Sequence, residues 1–278
     1  MPQEQSTGDA YVLGRSDAET RRLIQQGAFQ RVFTHRFLAT AGIEPGMRVL
    51  DAGSGAGDVA LIAGELVGTT GSVVGVDVNG QALEVARARA NAAGQTWVSF
   101  VEGDCRQVEL DGPFDAVVGR LILVHQPDPA AFVCAMAARL RPGGIVAFQE
   151  YNFAPESLIQ YPATPLWGQV WDWLTETLRG GGIPSHAGYD LYRIFQEAGL
   201  ADPQLDLSAA IGGGPDWGGY EYAAETLRSL LPLTLKLGIA TADEVDIETL
   251  ADRLREDTVA SGGIVKAADL VGAWSRVG

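Results

Sequence analysis

Between residues 48 and 151 the chain alternates short apolar runs with segments of helical period, and this rhythm restricts the fold more than any other feature. RVLDAG, SVVGVDV, WVSFVEGD, FDAVVGRLILV and IVAFQEY read as strands. GDVALIAGELV, GQALEVARARANAAG and residues 129–140 read as the helices between them. Strands alternating with helices of about 10–15 residues make a parallel sheet covered on both faces. VVGVDV and IVAF are near-continuously apolar, as strands buried on both sides must be.

The first strand leads through D-A-G-S-G-A-G into a helix. Gly53, Gly55 and Gly57 carry no Cβ, so a ligand can approach the backbone and positive φ costs little. The helix beyond them offers unpaired N–H groups and a partial positive charge. Ligands of open α/β sheets bind outside the carboxyl ends of the strands, where this loop lies. The spacing is not the dinucleotide GxGxxG: Asp58 stands where the third glycine would fall. Asp51 adds a negative charge at the strand end, a poor neighbour for a pyrophosphate and a good one for an ammonium or sulfonium group. S-adenosylmethionine carries both cations, and its carboxylate can use the helix N-terminus. Asp77 ends the second strand 20 residues after Gly57, where a carboxylate can accept from both ribose hydroxyls. Asp104 ends the third strand and can accept from an adenine amino group, with the Cys105 N–H facing a ring nitrogen.

Composition narrows the substrate. The 278 residues are 46% hydrophobic, enough for a substantial core, and the net charge is −15 with no Lys/Arg cluster. Binders of nucleic acid usually carry a basic patch, so a small-molecule substrate is expected and a nucleic acid is not. The N-terminus MPQEQSTGDA lacks an apolar signal segment, and no stretch reaches about 18 unbroken apolar residues. Cys105 and Cys134 form no CxxC pair. A cytoplasmic protein with no membrane contact is expected. His35, His125 and His186 lie far apart, so no metal site is expected.

Outside the alternating region, residues 1–10 read as a polar tail and 16–41 as a helix. Ser16 and Glu19 form a capping-box pattern. Ile24, Ala28 and Val32, with Phe29, Phe33 and Phe37, give one wide apolar face. After Tyr151 the rhythm breaks into an aromatic, proline-rich stretch. A helix over 188–199, a sixth strand QLDLSAAI, a helix over 220–237 that Pro232 kinks or ends, a helix over 246–260 and a last strand in IVKAADLVGAW follow. The expected organisation is an N-terminal helical cap (1–44), a core (45–151), an aromatic lid insertion (152–186), a core helix and strand (187–211), a helical lid insertion (212–260) and a closing strand (261–278).

The motifs RVLDAGSGAGDVA, GSVVGVD, FVEGD, FDAVVGRLIL with PDP, LRPGGIVAFQE and YEYAAETLRSLLP together resemble the class I S-adenosylmethionine-dependent methyltransferases, and most nearly their small-molecule, actinomycete-type branch. The resemblance implies an α/β, Rossmann-like seven-stranded sheet, mostly parallel with the last strand antiparallel, carrying helical lid insertions. It implies that Asp51, Gly53, Ser54, Gly55 and Gly57 line the methionine end of the cofactor, that Asp77 and Val78 meet the ribose, and that Asp104 and Cys105 meet the adenine. Arg120 falls where family members contact the cofactor or frame the active site. YVLGRS with RLIQQ is similar as well, which implies that Tyr11 and Gln26 close over the cofactor. His125 and Gln126 depart from the family's usual pair before PDP, so no role is carried over to them.

Methyl transfer from a sulfonium is an in-line displacement, in which alignment alone supplies roughly 7–11 kcal/mol at best. Where the acceptor must lose a proton, His125 is the first candidate base, because it follows the fourth strand and titrates near neutrality. Tyr151 is the second candidate, with Glu150 beside it. Trp167, Trp171, Trp217 and Tyr222 are candidates for contact with an aromatic or polycyclic acceptor; Trp167 and Trp171, four apart on a helix, also suit a packed face. The leading expectation is a methyltransferase of secondary metabolism acting on O, N or C. The alternative is a cyclase or isomerase of the same fold that binds the cofactor without transferring methyl. An NAD-dependent oxidoreductase or a binding module fits the residues less well. A homodimer through the N-terminal helix or the lid stays open.

Overall fold

A computed structural model of the chain describes residues 17–278, with side chains from Gly27 onward. The expected polar tail and the Ser16 cap lie outside that range. A helix, α1 (Asp17–Ala41), precedes five strands and the three helices between them: β1 (Arg48–Ala52), α2 (Asp58–Val67), β2 (Ser72–Asp77), α3 (Gly80–Ala92), β3 (Val98–Glu102), β4 (Phe114–Arg120), α4 (Pro129–Ala137) and β5 (Leu140–Asn152). β6 (Gln160–Tyr161), α5 (Pro165–Gly180), α6 (Ala187–Glu197), β7 (Gln204–Ser208), β8 (Ile211–Gly212), α7 (Gly219–Lys236), α8 (Ala242–Val245), α9 (Leu250–Ser261), β9 (Ile264–Lys266) and β10 (Asp269–Arg276) follow. Helix starts are where local chemistry puts them. Asn79 caps α3 by accepting from the Ala82 N–H, and Asp128 caps α4 from Ala131 with Pro129 at the first helical position.

Seven strands form one sheet in the order β3-β2-β1-β4-β5-β10-β7. β10 runs antiparallel to both of its neighbours, and every other strand pair in the sheet is parallel. The order reverses between β1 and β4, so the carboxyl ends of these two strands flank the crevice where a ligand can enter. Two apolar layers cover the sheet. Phe37 and Leu38 of α1 pack with α2 and α3 over Val49, Val118 and Ala147 on one face. Phe132 and Met136 of α4 pack with Leu191 and Phe195 of α6 over Leu50, Val117 and Phe148 on the other. A third apolar cluster lies among α5, α7 and α9. No helix among the described residues is long and apolar enough to cross a membrane.

Five local expectations are corrected. IVKAADLVGAW is two strands: β9 joins β6 and β8 in a separate three-stranded sheet, and β10 joins the main one. Lys266 and Asp269 flank the break, buried side by side as an ion pair, and a continuous strand would point these charges to opposite faces. α7 runs unbroken through Pro232, because the proline ring is exposed while Leu227, Leu230 and Thr234 hold both halves of the helix in the core. The expected helix over 246–260 starts later, as α9, and a short α8, opened by a Thr241–Glu244 capping box, precedes it. β5 starts at Leu140 and carries RPGG as a register shift inside the strand, which shortens α4. α1 buries only part of its expected apolar face: Phe37 is buried and Phe29 and Phe33 are half-buried, but Ala28 and Val32 are exposed, and Gly27, Gln30, Thr34 and Leu38 point inward beside Phe37.

Candidate active site

The glycine turn after β1 is shaped by packing at two positions and left open at the third. Gly53, Gly55 and Gly57 all have positive φ (73°, 49° and 83°). A Cβ on Gly53 would come within 2.6 Å of the Ile122 side chain, and one on Gly57 within 2.9 Å of Ala86 Cβ. A Cβ on Gly55 would meet nothing within 4 Å, so here the turn borders empty space. The Gly53 and Ser54 N–H groups donate to the Val76 carbonyl at 2.9 and 3.0 Å. Asp77 completes the frame: one oxygen accepts from the Gly55 N–H and the other from the Asn79 N–H, each at 2.8 Å. No side chain caps the N-terminus of α2.

Charge in this crevice is unbalanced. Asp51 is fully buried and neither carboxylate oxygen has a hydrogen-bond partner. Burial pushes its pKa up to about 7; Arg120 and the Ala60 N–H pull it down, while Asp77 and Asp58 push it up. Arg120 donates to Thr34 Oγ1 at 2.9 Å and lies 3.9 Å from Asp58, which also pairs with Arg89 at 2.6 Å. Three carboxylates (Asp51, Asp58, Asp77) therefore face two guanidinium groups (Arg89, Arg120). A buried carboxylate without a partner is costly, and a cationic ligand removes the cost. The Ser54 hydroxyl is also buried without a partner.

At the end of β3, Asp104 holds Arg106 through two hydrogen bonds, at 3.0 and 2.6 Å, and that pairing keeps its carboxyl below the usual range. Cys105 is buried, and burial pushes its thiol up to about 12, so it stays protonated. Val78 is exposed at the mouth of the crevice.

The other wall is aromatic. The Tyr222 hydroxyl of α7 donates to the Tyr151 hydroxyl of β5 at 2.5 Å. Phe29 of α1 stacks on Tyr222, with centroids 4.5 Å apart and an interplanar angle of 11°, and meets Trp217 edge-on. Trp217 in turn contacts Trp167, and Phe153 contacts Trp171. The structure thus brings Tyr151, Tyr222 and Trp217 together with α1. It buries Trp167 and Trp171, at 3% and 4% exposure, inside the α5–α7–α9 cluster. The cavity there is lined by Phe153, Trp171, Tyr222 and Thr226 and measures about 20 Å³, room for one water.

His125 ends a short 3-10 turn (Leu123–His125) after β4, and burial lowers its pKa, so the ring is neutral at pH 7. Glu150 accepts from the Ile122 and Leu123 N–H groups at 2.9 and 2.7 Å, which fixes that turn beside the strained Leu121 (φ 57°). Alternation along β5 puts Glu150 on the sheet face opposite Tyr151, so it supports the His125 turn and does not share the aromatic wall.

Tyr11 and the side chain of Gln26 lie outside the described residues. Sequence reasoning missed Thr34, Asp58, Arg89, Phe29, Gln30 and Gln149. The polar spacing Gly27, Gln30, Thr34 on a helix with apolar alternatives was the available signal. Among the described residues no group of three His, Cys, Asp or Glu side chains is placed to hold a metal ion.

A strand order reversing at β1/β4, an antiparallel β10 and a glycine turn flanked by unpaired carboxylate define a class I S-adenosylmethionine-dependent methyltransferase. A family model described as a methyltransferase domain matches residues 43–199, and the chain belongs to that family. It is 30% identical over 196 residues to a ubiquinone/menaquinone biosynthesis C-methyltransferase of Ectopseudomonas mendocina, covering 68% of this chain and 72% of that one. It is 34% identical over 118 residues to a ubiquinone biosynthesis O-methyltransferase of Thiobacillus denitrificans, covering 42% of this chain and half of that relative's length. Among solved structures, a phosphoethanolamine N-methyltransferase from Haemonchus contortus, in complex with phosphomonomethylethanolamine and S-adenosylhomocysteine, superposes with a TM-score of 0.61. That match has 16% identity and covers 100% of this chain and 61% of that one; it is a likeness of fold.

Proposed function

We propose that this enzyme methylates a small aromatic or polycyclic acceptor, on O, N or C, beneath a lid formed by α1 and the α5–α7–α9 cluster. The carrying observation is the aromatic wall of Phe29, Tyr151, Trp217 and Tyr222, drawn together from α1, β5 and the start of α7. Flat apolar rings of this kind bind flat apolar ligands and exclude water.

The unpartnered Asp51 carboxylate and the open space at Gly55 fit S-adenosylmethionine. Asp51 would hold its ammonium group, the glycine turn and the α2 N-terminus its carboxylate, Asp77 and Val78 its ribose, and Asp104 and Cys105 its adenine. Bound there, the cofactor supplies an electrophilic methyl group. The protein's part is alignment and exclusion of water. Where the acceptor must lose a proton, the neutral His125 ring takes it, and Glu150 positions the turn that carries it. Tyr151, hydrogen-bonded by Tyr222, would orient an acceptor oxygen or nitrogen.

Calorimetric titration with S-adenosylmethionine and NAD, on the wild type and Asp77→Ala, tests the cofactor. Binding of S-adenosylmethionine alone, lost in the variant, is expected. Incubation with aromatic acceptors should then give products heavier by one methyl group, with S-adenosylhomocysteine formed in step. A product of unchanged mass with the cofactor intact would replace transfer by cyclisation or isomerisation.

A further inference from the structure

Two buried glutamines carry unpartnered amide atoms. Gln149 is 1% exposed, and neither its Oε1 nor its Nε2 is hydrogen-bonded. Gln30 is 3% exposed with Oε1 unpartnered. A buried amide left unpaired costs the fold its desolvation free energy.

Register places both beside the carboxylate crevice. In the paired strands Asp51 stands level with Val118, and Gln149 level with Arg120, two residues further on. Side chains two apart share a sheet face, so Asp51, Arg120, Gln149 and Tyr151 all project from the face that α1 covers. α1 is fixed over that face at three points. Gly27 sits so close to the Asp58 carboxylate that a Cβ would come within 2.3 Å, Thr34 accepts from Arg120, and Phe37 lies over Gly272, the β10 neighbour of Gln149. Gln30 falls between the first two contacts. The helix and the sheet thus bring the Gln30 and Gln149 amides to the sheet face that carries Asp51 and Arg120, with Asp58 beside it.

We propose that Gln30 and Gln149 grip the α-amino-acid end of the cofactor. Amide oxygens accept from its ammonium group alongside Asp51, and the Gln149 amide N–H donates to its carboxylate alongside Arg120. Neutral amides can serve both ends of a zwitterion without adding charge, and they leave one negative charge in the crevice to meet the cofactor's net positive charge. This assignment rests on the cofactor reading above and extends it to residues that select for an intact amino acid.

The test compares S-adenosylhomocysteine with 5′-methylthioadenosine, the same thioether nucleoside lacking the amino acid, by calorimetry on the wild type, Gln149→Leu and Gln30→Leu. Each substitution should weaken S-adenosylhomocysteine about tenfold or more, the effect of losing hydrogen bonds to a charged group. Affinity for 5′-methylthioadenosine should stay within about twofold, since the nucleoside contacts are untouched. Equal losses on both ligands, or no loss on S-adenosylhomocysteine, would overturn the assignment. A wild type that binds neither would instead overturn the cofactor reading. Gln149→Met serves as the second variant should the leucine not fold.

Discussion

The two walls of the crevice are built in opposite ways. Around Asp51 the protein buries polar atoms and leaves them unpaired: both Asp51 oxygens, the Ser54 hydroxyl, the Gln30 Oε1 and the Gln149 amide. Around Tyr222 it does the reverse, stacking rings until about 20 Å³ of space is left. The first wall is unsatisfied without its ligand and is therefore already shaped for it. The second is packed ring against ring, with the Trp167 and Trp171 indole N–H groups left unpartnered, so an acceptor must displace ring contacts to enter. Cofactor binding should depend on charge, and acceptor binding on opening the lid.

The largest effect is expected at the turn after β4. His125→Asn removes the candidate base while Glu150 still holds its turn. For an acceptor that must be deprotonated, kcat should fall by about 10²- to 10⁴-fold, with S-adenosylhomocysteine affinity unchanged. Burial lowers the His125 pKa, so the wild-type rate should keep its plateau below the ordinary value of about 6.5 and decline only at more acid pH. That acid limb should vanish in the variant. A kcat that the substitution leaves alone would assign the acceptor to those needing no base.

Next comes the lid itself. Trp171 is buried against Phe153 on α5. Trp171→Ala should cost about 3–5 kcal/mol in chemical denaturation. Under native conditions it should change S-adenosylhomocysteine affinity little. Were cofactor affinity to fall as well, the two walls would be one cooperative unit and the contrast between them would break.

Much of this contrast was legible in the sequence, and unevenly. Asp51, Asp77 and the glycine turn were readable because a strand end, a turn and a helix start dictate each other locally. The long-range half was not. Val32 looks like a core residue on hydropathy alone and is 66% exposed, because what lies under α1 is a charged crevice, which Gln30 and Thr34 suit better. Pro232 reads as a helix stop, yet packing on both sides carries α7 through it. The break between β9 and β10 follows from burying Lys266 against Asp269, a pairing that no hydrophobic period encodes.

A third prediction concerns the unsatisfied wall alone. Asp51 has a folded pKa of about 7 against about 3.8 in the unfolded chain. Between these values the folded state holds the extra proton, so ligand-free stability should fall as pH rises from about 4 to 7. Asp51→Asn should flatten that decline and raise the Tm at pH 7, while weakening S-adenosylmethionine binding about 10- to 100-fold. Wild-type cofactor binding below pH 7 should release a proton, seen as a binding enthalpy that changes with buffer.

The smallest effect lies in the aromatic wall and sharpens the comparison most finely. Tyr222→Phe deletes one hydroxyl, ending the hydrogen bond to Tyr151 but keeping the stack on Phe29. A hydrogen bond of this kind contributes about 0.5–1.5 kcal/mol, so Tm should fall by no more than a few degrees for a chain of this size. Cofactor affinity should not move, since the substitution leaves the Asp51, Asp77 and glycine-turn groups untouched. The acceptor KM should rise a few-fold if the paired hydroxyls orient the acceptor, and kcat should follow only if that orientation sets the angle of attack. An unchanged KM with a lower Tm would reduce the Tyr151–Tyr222 pair to a latch that keeps the lid shut. The acceptor would then be held by ring faces alone.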